Sequence, residues 1–193
     1  MGRGTLAPTG DEEADHLLNT DPLALLIGML LDQQITIELA FRGPHRLAER
    51  LGGHLDPATI AALDPEAFVG IVREKPALHR FPAAMAGRIQ ALCRHVVDEY
   101  DGDAGAIWRR VRRAEVLRDR LLAVPGFGPE KAQITVAVLA KRFGRRPAGW
   151  EAVAGPFADD ELRSVADLDS PAAVEALRAR RRALATAGRT KTD

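Results

Sequence analysis

The sequence predicts an all-α protein. Apolar residues recur at helical spacing almost throughout, and no run alternates polar and β-branched residues for long enough to make a sheet. Asp-Pro, which joins a capping side chain to a proline at the first helical position, recurs at 21–22, 56–57 and 64–65. In order, "DPLALLIGMLLDQQ" predicts a helix from Pro22 that is apolar on every face from Leu23 to Leu31 and is therefore central. A second helix starts near Thr36 and is expected to be perturbed at Gly43-Pro44, and two short helices follow the next Asp-Pro pairs. Met85, Ile89, Leu92, Val96 and Tyr100 mark a longer helix ending at "DGDAG". Ile107, Val111, Ala114, Leu117 and Leu121 form one stripe with arginines on the other faces, which predicts a single amphipathic basic helix. Helices from Pro129 to about Phe143 and over "SPAAVEALRARRRALA" complete the set, with "GRTKTD" as a disordered tail.

A chain of 193 residues with 46% hydrophobic content holds one sizeable core or two small lobes. Its single cysteine, Cys93, leaves no cysteine zinc site, disulfide or four-cysteine iron–sulfur cluster within the chain and fits a reducing cytoplasm. The longest apolar run, "PLALLIGMLL", is too short for a bilayer, so no membrane partner is expected. Net charge is zero but unevenly placed: residues 1–104 hold 9 Lys+Arg against 16 Asp+Glu, and residues 105–193 hold 18 against 11. Either the second half docks an anionic partner or these are solvated helix faces. The five histidines show no metal-ligand spacing.

The segment "LLAVPGFGPEKAQI" breaks an apolar run with Gly126 and Gly128. Glycine allows the positive φ of a tight interhelical turn and the close approach of a phosphate. Pro129 opens the next helix, so amides around Phe127 to Lys131 stand at the positive end of a helix dipole, a place suited to phosphate, with Lys131 adding charge. A plain glycine-turned helical hairpin accounts for the turn alone.

Val124-Pro125-Gly126-Phe127-Gly128 followed by Ala132, together with "MLLDQQIT" upstream, resembles the helix-hairpin-helix DNA glycosylase superfamily, the paired glutamines lying nearest the 3-methyladenine glycosylase II branch. The matching stretch covers residues 20–145. This resemblance implies a monomer of two helical lobes, residues 20–140 forming a six-helix lobe that ends in the hairpin, and residues 1–19 plus 141–193 the other. Double-stranded DNA would bind across the cleft, with the hairpin (Gly126, Phe127, Gly128, Glu130, Lys131) on phosphates. A monovalent cation at the hairpin is part of the expectation. Gln34, with Gln33 beside it, would fill the gap left by an extruded nucleotide, a role a planar amide suits because it can stack and hydrogen-bond the orphaned base.

In the family an aspartate beyond the hairpin stabilises cationic sugar character during base release. The corresponding window here, "KRFGRRPAGWEAVAG", has no aspartate. Glu151 is its one carboxylate and Asp167 lies further on, so these are the two candidate catalytic residues; the competing readings are an exposed helix residue for Glu151 and a helix cap for Asp167. Members that cut the strand carry a lysine where Glu130 stands. Lys131 is displaced by about 100° around the helix, so it is expected to meet phosphate rather than sugar, and no lyase activity is expected. The implied function is a monofunctional N-glycosylase acting on an alkylated or deaminated base. Its rivals are a DNA-binding module of the same fold without catalysis and a helical interaction domain.

Overall fold

The computed structural model describes residues 6–188, Thr190 and Thr192. Among these residues it is all-helical, its one β-type pairing an isolated bridge between Arg113 and Ala148. The α-helices are α1 (Glu12–Thr20), α2 (Pro22–Leu31), α3 (Ile37–Arg50), α4 (Pro57–Ala62), α5 (Pro65–Arg73), α6 (Pro82–Tyr100), α7 (Ala114–Ala123), α8 (Pro129–Arg142), α9 (Trp150–Ala154) and α10 (Pro171–Thr186). Three 3-10 turns lie at Ala104–Ile107, Gly155–Phe157 and Val165–Asp167.

The Asp-Pro starts behave as their chemistry dictates. Asp21, Asp56 and Asp64 each accept hydrogen bonds from first-turn amides of α2, α4 and α5. Asp21 is itself half-buried by its neighbours, and that desolvation raises its pKa against the pull of the two amides it accepts.

Every residue of α2 from Leu23 to Leu31 is buried, and the helix packs against α1, α3, α6 and the 3-10 turn at Ala104. Two glycines set how closely α2 and α3 approach. A Cβ on Gly28 would stand 2.8 Å from Phe41, and one on Gly43 would stand 2.5 Å from Leu31. Gly43-Pro44 does not perturb α3, contrary to the sequence expectation: the helix runs continuously from Ile37 to Arg50, its buried Gly43 fitted against Leu31. The second half is organised around α8, which contacts α7, α9 and the two later 3-10 turns. One hydrophobic cluster runs from Leu6 to Leu177 through both halves. Cys93 is within it, its thiol pushed by burial up to about 12, which removes it as a nucleophile at neutral pH.

Two further expectations are corrected. The predicted basic helix over residues 107–121 is split, because Arg110 takes a left-handed conformation (φ 61°) and the backbone of Arg112–Ala114 bonds to Ala148 instead. The N–H of Ala148 donates to Arg112 at 2.8 Å and that of Ala114 to Ala148 at 2.9 Å, so α7 begins only at Ala114. The structure also adds α1 and α9, which the sequence pattern left unassigned. Of the tail "GRTKTD", Arg189, Lys191 and Asp193 lie outside the described residues.

Candidate nucleic-acid interface

The glycine hairpin joins α7 to α8, and its shape follows from two distinct demands. Gly126 has φ 86°, and a Cβ there would meet Leu30 at 2.5 Å, so both backbone and packing require glycine. Gly128 has an extended backbone, is exposed, and faces open space, so an added side chain there would obstruct only what approaches from outside. Phe127 donates its N–H to Val124 at 3.0 Å and its ring is buried at 6% exposure. Phe127 therefore anchors the turn, and its amide, expected to serve an outside phosphate, is used inside the turn.

The turn sits on the last turn of α2. Helix C-termini leave carbonyls without intrahelical donors, and here side chains supply them. Lys131 Nζ donates to the carbonyl of Met29 and, at 3.4 Å, to that of Asp32. The Gln33 amide nitrogen donates to Leu30 at 2.6 Å. The ammonium expected at a phosphate is here engaged with α2, for a clear electrostatic reason, since a cation is favoured at the negative end of a helix dipole. Its charge also lies 5.9 Å from the Phe127 ring centre. Glu130, next in line, is exposed.

The two glutamines separate by role. Gln33 is tied on three sides: besides Leu30, its side-chain oxygen accepts from Arg88 at 2.7 Å, and its backbone carbonyl lies 2.8 Å from His79 Nε2. His79 is buried, and its Nδ1 accepts the Phe81 N–H at 3.1 Å, which fixes the neutral tautomer with Nε2 as donor to Gln33. Gln34 is exposed with φ 57°, a left-handed backbone that an unbranched side chain adopts at a cost of about 1 kcal/mol or more. Anchoring of its neighbour holds it there. Met29, Asp32 and Gln33 face Gly128 to Lys131 and Ile134 across a recess of about 300 Å³, so the hairpin and the glutamine loop share one concavity.

His79 and Arg88 hold the glutamine loop, a part the sequence reading missed; a histidine two residues before Phe81 in "LHRFP" carries no signal until the fold brings it to Gln33. Phe81 is 44% exposed beside this loop, with Arg80 stacked 4.7 Å from its ring centre. The other aromatics considered for a base sandwich differ: Phe41 and Phe157 are core, while Trp108 and Trp150 are partly buried.

Replacement of Gln34 by glycine removes the left-handed strain at the expense of added freedom in the unfolded chain. A net gain of about 0.5 kcal/mol in urea denaturation is expected, and a loss beyond about 1 kcal/mol would show that the side chain contributes to folding.

The candidate carboxylates are not brought together. Glu151 is exposed on the first turn of α9. Asp167 is 7% exposed and fully engaged: one oxygen meets Lys141 Nζ at 2.6 Å, and the other accepts from the amides of Arg163 and Ser164, both at 2.9 Å. It closes a capping box with Ser164 on the Val165–Asp167 turn, and the cap of α10 is Ser170 rather than Asp167. Lys141 stands twelve residues beyond Pro129, about 18 Å along α8 from the hairpin.

The chain belongs to the HhH-GPD superfamily of base excision DNA repair proteins, whose family profile matches residues 27–185. Among solved structures it is similar to a trapped endonuclease III–DNA covalent intermediate, an estranged-adenine complex, at 20% identity and TM-score 0.46, over 76% of this chain and 80% of that one. It is likewise similar to a non-covalent endonuclease III–DNA complex at 23% identity and TM-score 0.46, over 75% and 64%. No curated protein matches it. Among the described residues no helix is long and apolar enough to cross a membrane, and no three His, Cys, Asp or Glu side chains group as a metal site.

Proposed function

We propose that the protein is a monofunctional DNA N-glycosylase that extrudes a damaged base, alkylated or deaminated, from double-stranded DNA. The observation that carries this reading is the shared recess: an open glycine, Gly128, suited to phosphate lies across from a glutamine loop whose outer residue is held exposed in a left-handed conformation. The paired glutamines also support the 3-methyladenine glycosylase II branch. Gln34 is the gap filler, and exposed Arg80 and Phe81 follow directly on His79, which holds the backbone of Gln33. The absence of strand cutting is supported by Glu130 at the lysine position and by Lys131 being held on α2 carbonyls. Backbone oxygens of the turn would serve a monovalent cation, which would add to the attraction for phosphate.

Within this proposal the lobes divide as residues 20–140 against 1–19 plus 141–193. In support, the arm before α1 pairs with the C-terminal part, Ala7 N–H donating to Leu168 at 2.9 Å. Further positive charge lies at the far end of the α7–α8 pair. Arg110, Arg112, Arg145 and Arg146 line a recess of about 330 Å³ with Trp108, and among the described residues no carboxylate lines it. These arginines suit the DNA backbone.

The engagement of Asp167 and the exposure of Glu151 favour a second reading, a DNA-binding module without catalysis. Duplexes carrying alkylated bases, uracil, hypoxanthine or oxidised guanine separate the two by the appearance of abasic sites. The glycosylase reading expects product from at least one lesion, and a loss of binding of about tenfold or more for Gly128→Lys with circular dichroism unchanged. Salt-sensitive binding without product on the whole panel leaves the module. Salt-insensitive binding, or none, removes both.

A further inference from the structure

A groove of about 550 Å³ opens at the glutamine loop, and its lining shares no residue with the hairpin recess. Gln34 lines it together with Ile35 and Ile37, and Leu168, Val174 and Leu177 form the facing wall. Those five aliphatic side chains give a flat base a surface on which to be desolvated, while Arg178, Arg181 and Arg182 line the α10 side, where they suit the phosphates of an extruded nucleotide. Among the described residues one carboxylate lines it: Glu38, four residues after Gln34 on the first turn of α3, with its side chain only 14% exposed. Its partner is Arg178 of α10, at 2.6 Å and 55% exposed.

We infer that this groove receives the extruded nucleotide and that Glu38, rather than Glu151 or Asp167, is the carboxylate that faces its deoxyribose. The inference rests on the base-flipping reading above. Geometry supports it in three ways. The groove begins at the residue proposed to fill the vacated stack, so a nucleotide displaced by Gln34 enters it directly. Glu38 is the sheltered carboxylate of that groove, whereas Asp167 is engaged by a lysine and two amides and Glu151 is open to water. Its present partner is replaceable, because an ion pair to a half-exposed arginine is worth little and the arginine can turn to a phosphate.

In the reaction the C1′–N bond breaks and its electron pair leaves on the base. A neutral base takes up a proton, and an already cationic alkylated base leaves neutral without one. Positive charge spread over C1′ and the ring oxygen is then stabilised by the carboxylate. Water forms the C1′–O bond and gives its proton to Glu38, which returns it to solvent. The reaction is a hydrolysis and needs no oxidant or reductant.

The test uses the full-length protein and three duplexes: undamaged, with a neutral tetrahydrofuran abasic analogue, and with a pyrrolidine analogue whose ring amine is cationic at neutral pH. The wild-type protein is expected to bind the pyrrolidine duplex about tenfold tighter than the tetrahydrofuran duplex, since the cation mimics the charge of the transition state. Glu38→Gln should keep tetrahydrofuran binding within about twofold while the preference for the cation falls to about twofold or less. Glu151→Gln should keep the preference. Arg178→Gln, which frees Glu38 from its competing cation, should raise it, so a misfolded Glu38 variant does not end the test. A preference that survives in Glu38→Gln, or that falls in Arg178→Gln, overturns the assignment of Glu38 alone. Neither analogue being bound better than undamaged duplex overturns base flipping as well.

Discussion

Asp167→Ala is expected to destabilise the protein by about 3–5 kcal/mol, because it leaves the Lys141 ammonium without its anion and strips two buried amides of their acceptor. With total stabilities of about 5–15 kcal/mol, such a loss brings a domain of this size close to unfolding. Asp167→Asn should lose less, since its oxygen still accepts one of the contacts. Equilibrium urea denaturation measures both. The functional corollary is equally specific: whatever base release the wild-type shows should persist, per folded molecule, in Asp167→Asn at a temperature where that variant is folded. Activity abolished in a folded Asp167→Asn would return Asp167 to the chemistry. Lys141 also donates to the carbonyl of Asp159, and Arg163 binds the Asp159 carboxylate at 2.9 Å, so the damage should spread along residues 159–167.

Gly126→Ala is expected to cost about 2–4 kcal/mol. Forcing an L-residue to φ 86° costs about 1–2 kcal/mol, and pressing a methyl into Leu30 at 2.5 Å adds about 1–2 kcal/mol for the displaced side chain. The two contributions can be separated. In a cycle with Leu30→Ala, the double variant should be less destabilised than the sum of the singles by about 1 kcal/mol, the steric part, while the backbone part remains. Gly128→Ala, by contrast, meets nothing within 4 Å and has an extended backbone, so its stability should be close to that of the wild type. Simple additivity of Gly126→Ala and Leu30→Ala would mean that the turn does not rest on α2.

The hairpin and the helix starts were readable because their causes are local. An aspartate followed by proline caps a helix whatever surrounds it, and Gly-Phe-Gly turns a chain by its own backbone freedom. The remaining features depend on partners far away in the chain. Arg110–Arg113 continue a helical stripe in sequence, but the backbone of residue 148 offered a bond there and the helix broke. Lys131 reads as a free charge until α2 ends beneath it, over a hundred residues earlier in sequence. His79 gains its role only through Gln33, and Asp167 is a cap of its own turn because Ser164 and Lys141 reach it. Of the candidate site, the glutamine loop and the glycines stood out as motifs, whereas the sheltered carboxylate at Glu38 did not: a glutamate in a first helical turn is ordinary, and only the fold places Arg178 and the groove against it.

The last turn of α2 holds both sides of the proposed contact. Lys131 and Gln33 end on carbonyls of Met29, Leu30 and Asp32, and Gly126 rests on Leu30. A phosphate grip at the hairpin and a wedge at the glutamine loop, as proposed, could therefore not shift independently, and α2 would act as a ruler. On the flipping reading, the number of nucleotides between the held phosphate and the tested base is set by this rigid segment. The protein would then interrogate DNA at one fixed offset from each backbone position it grasps, stepping both ends together.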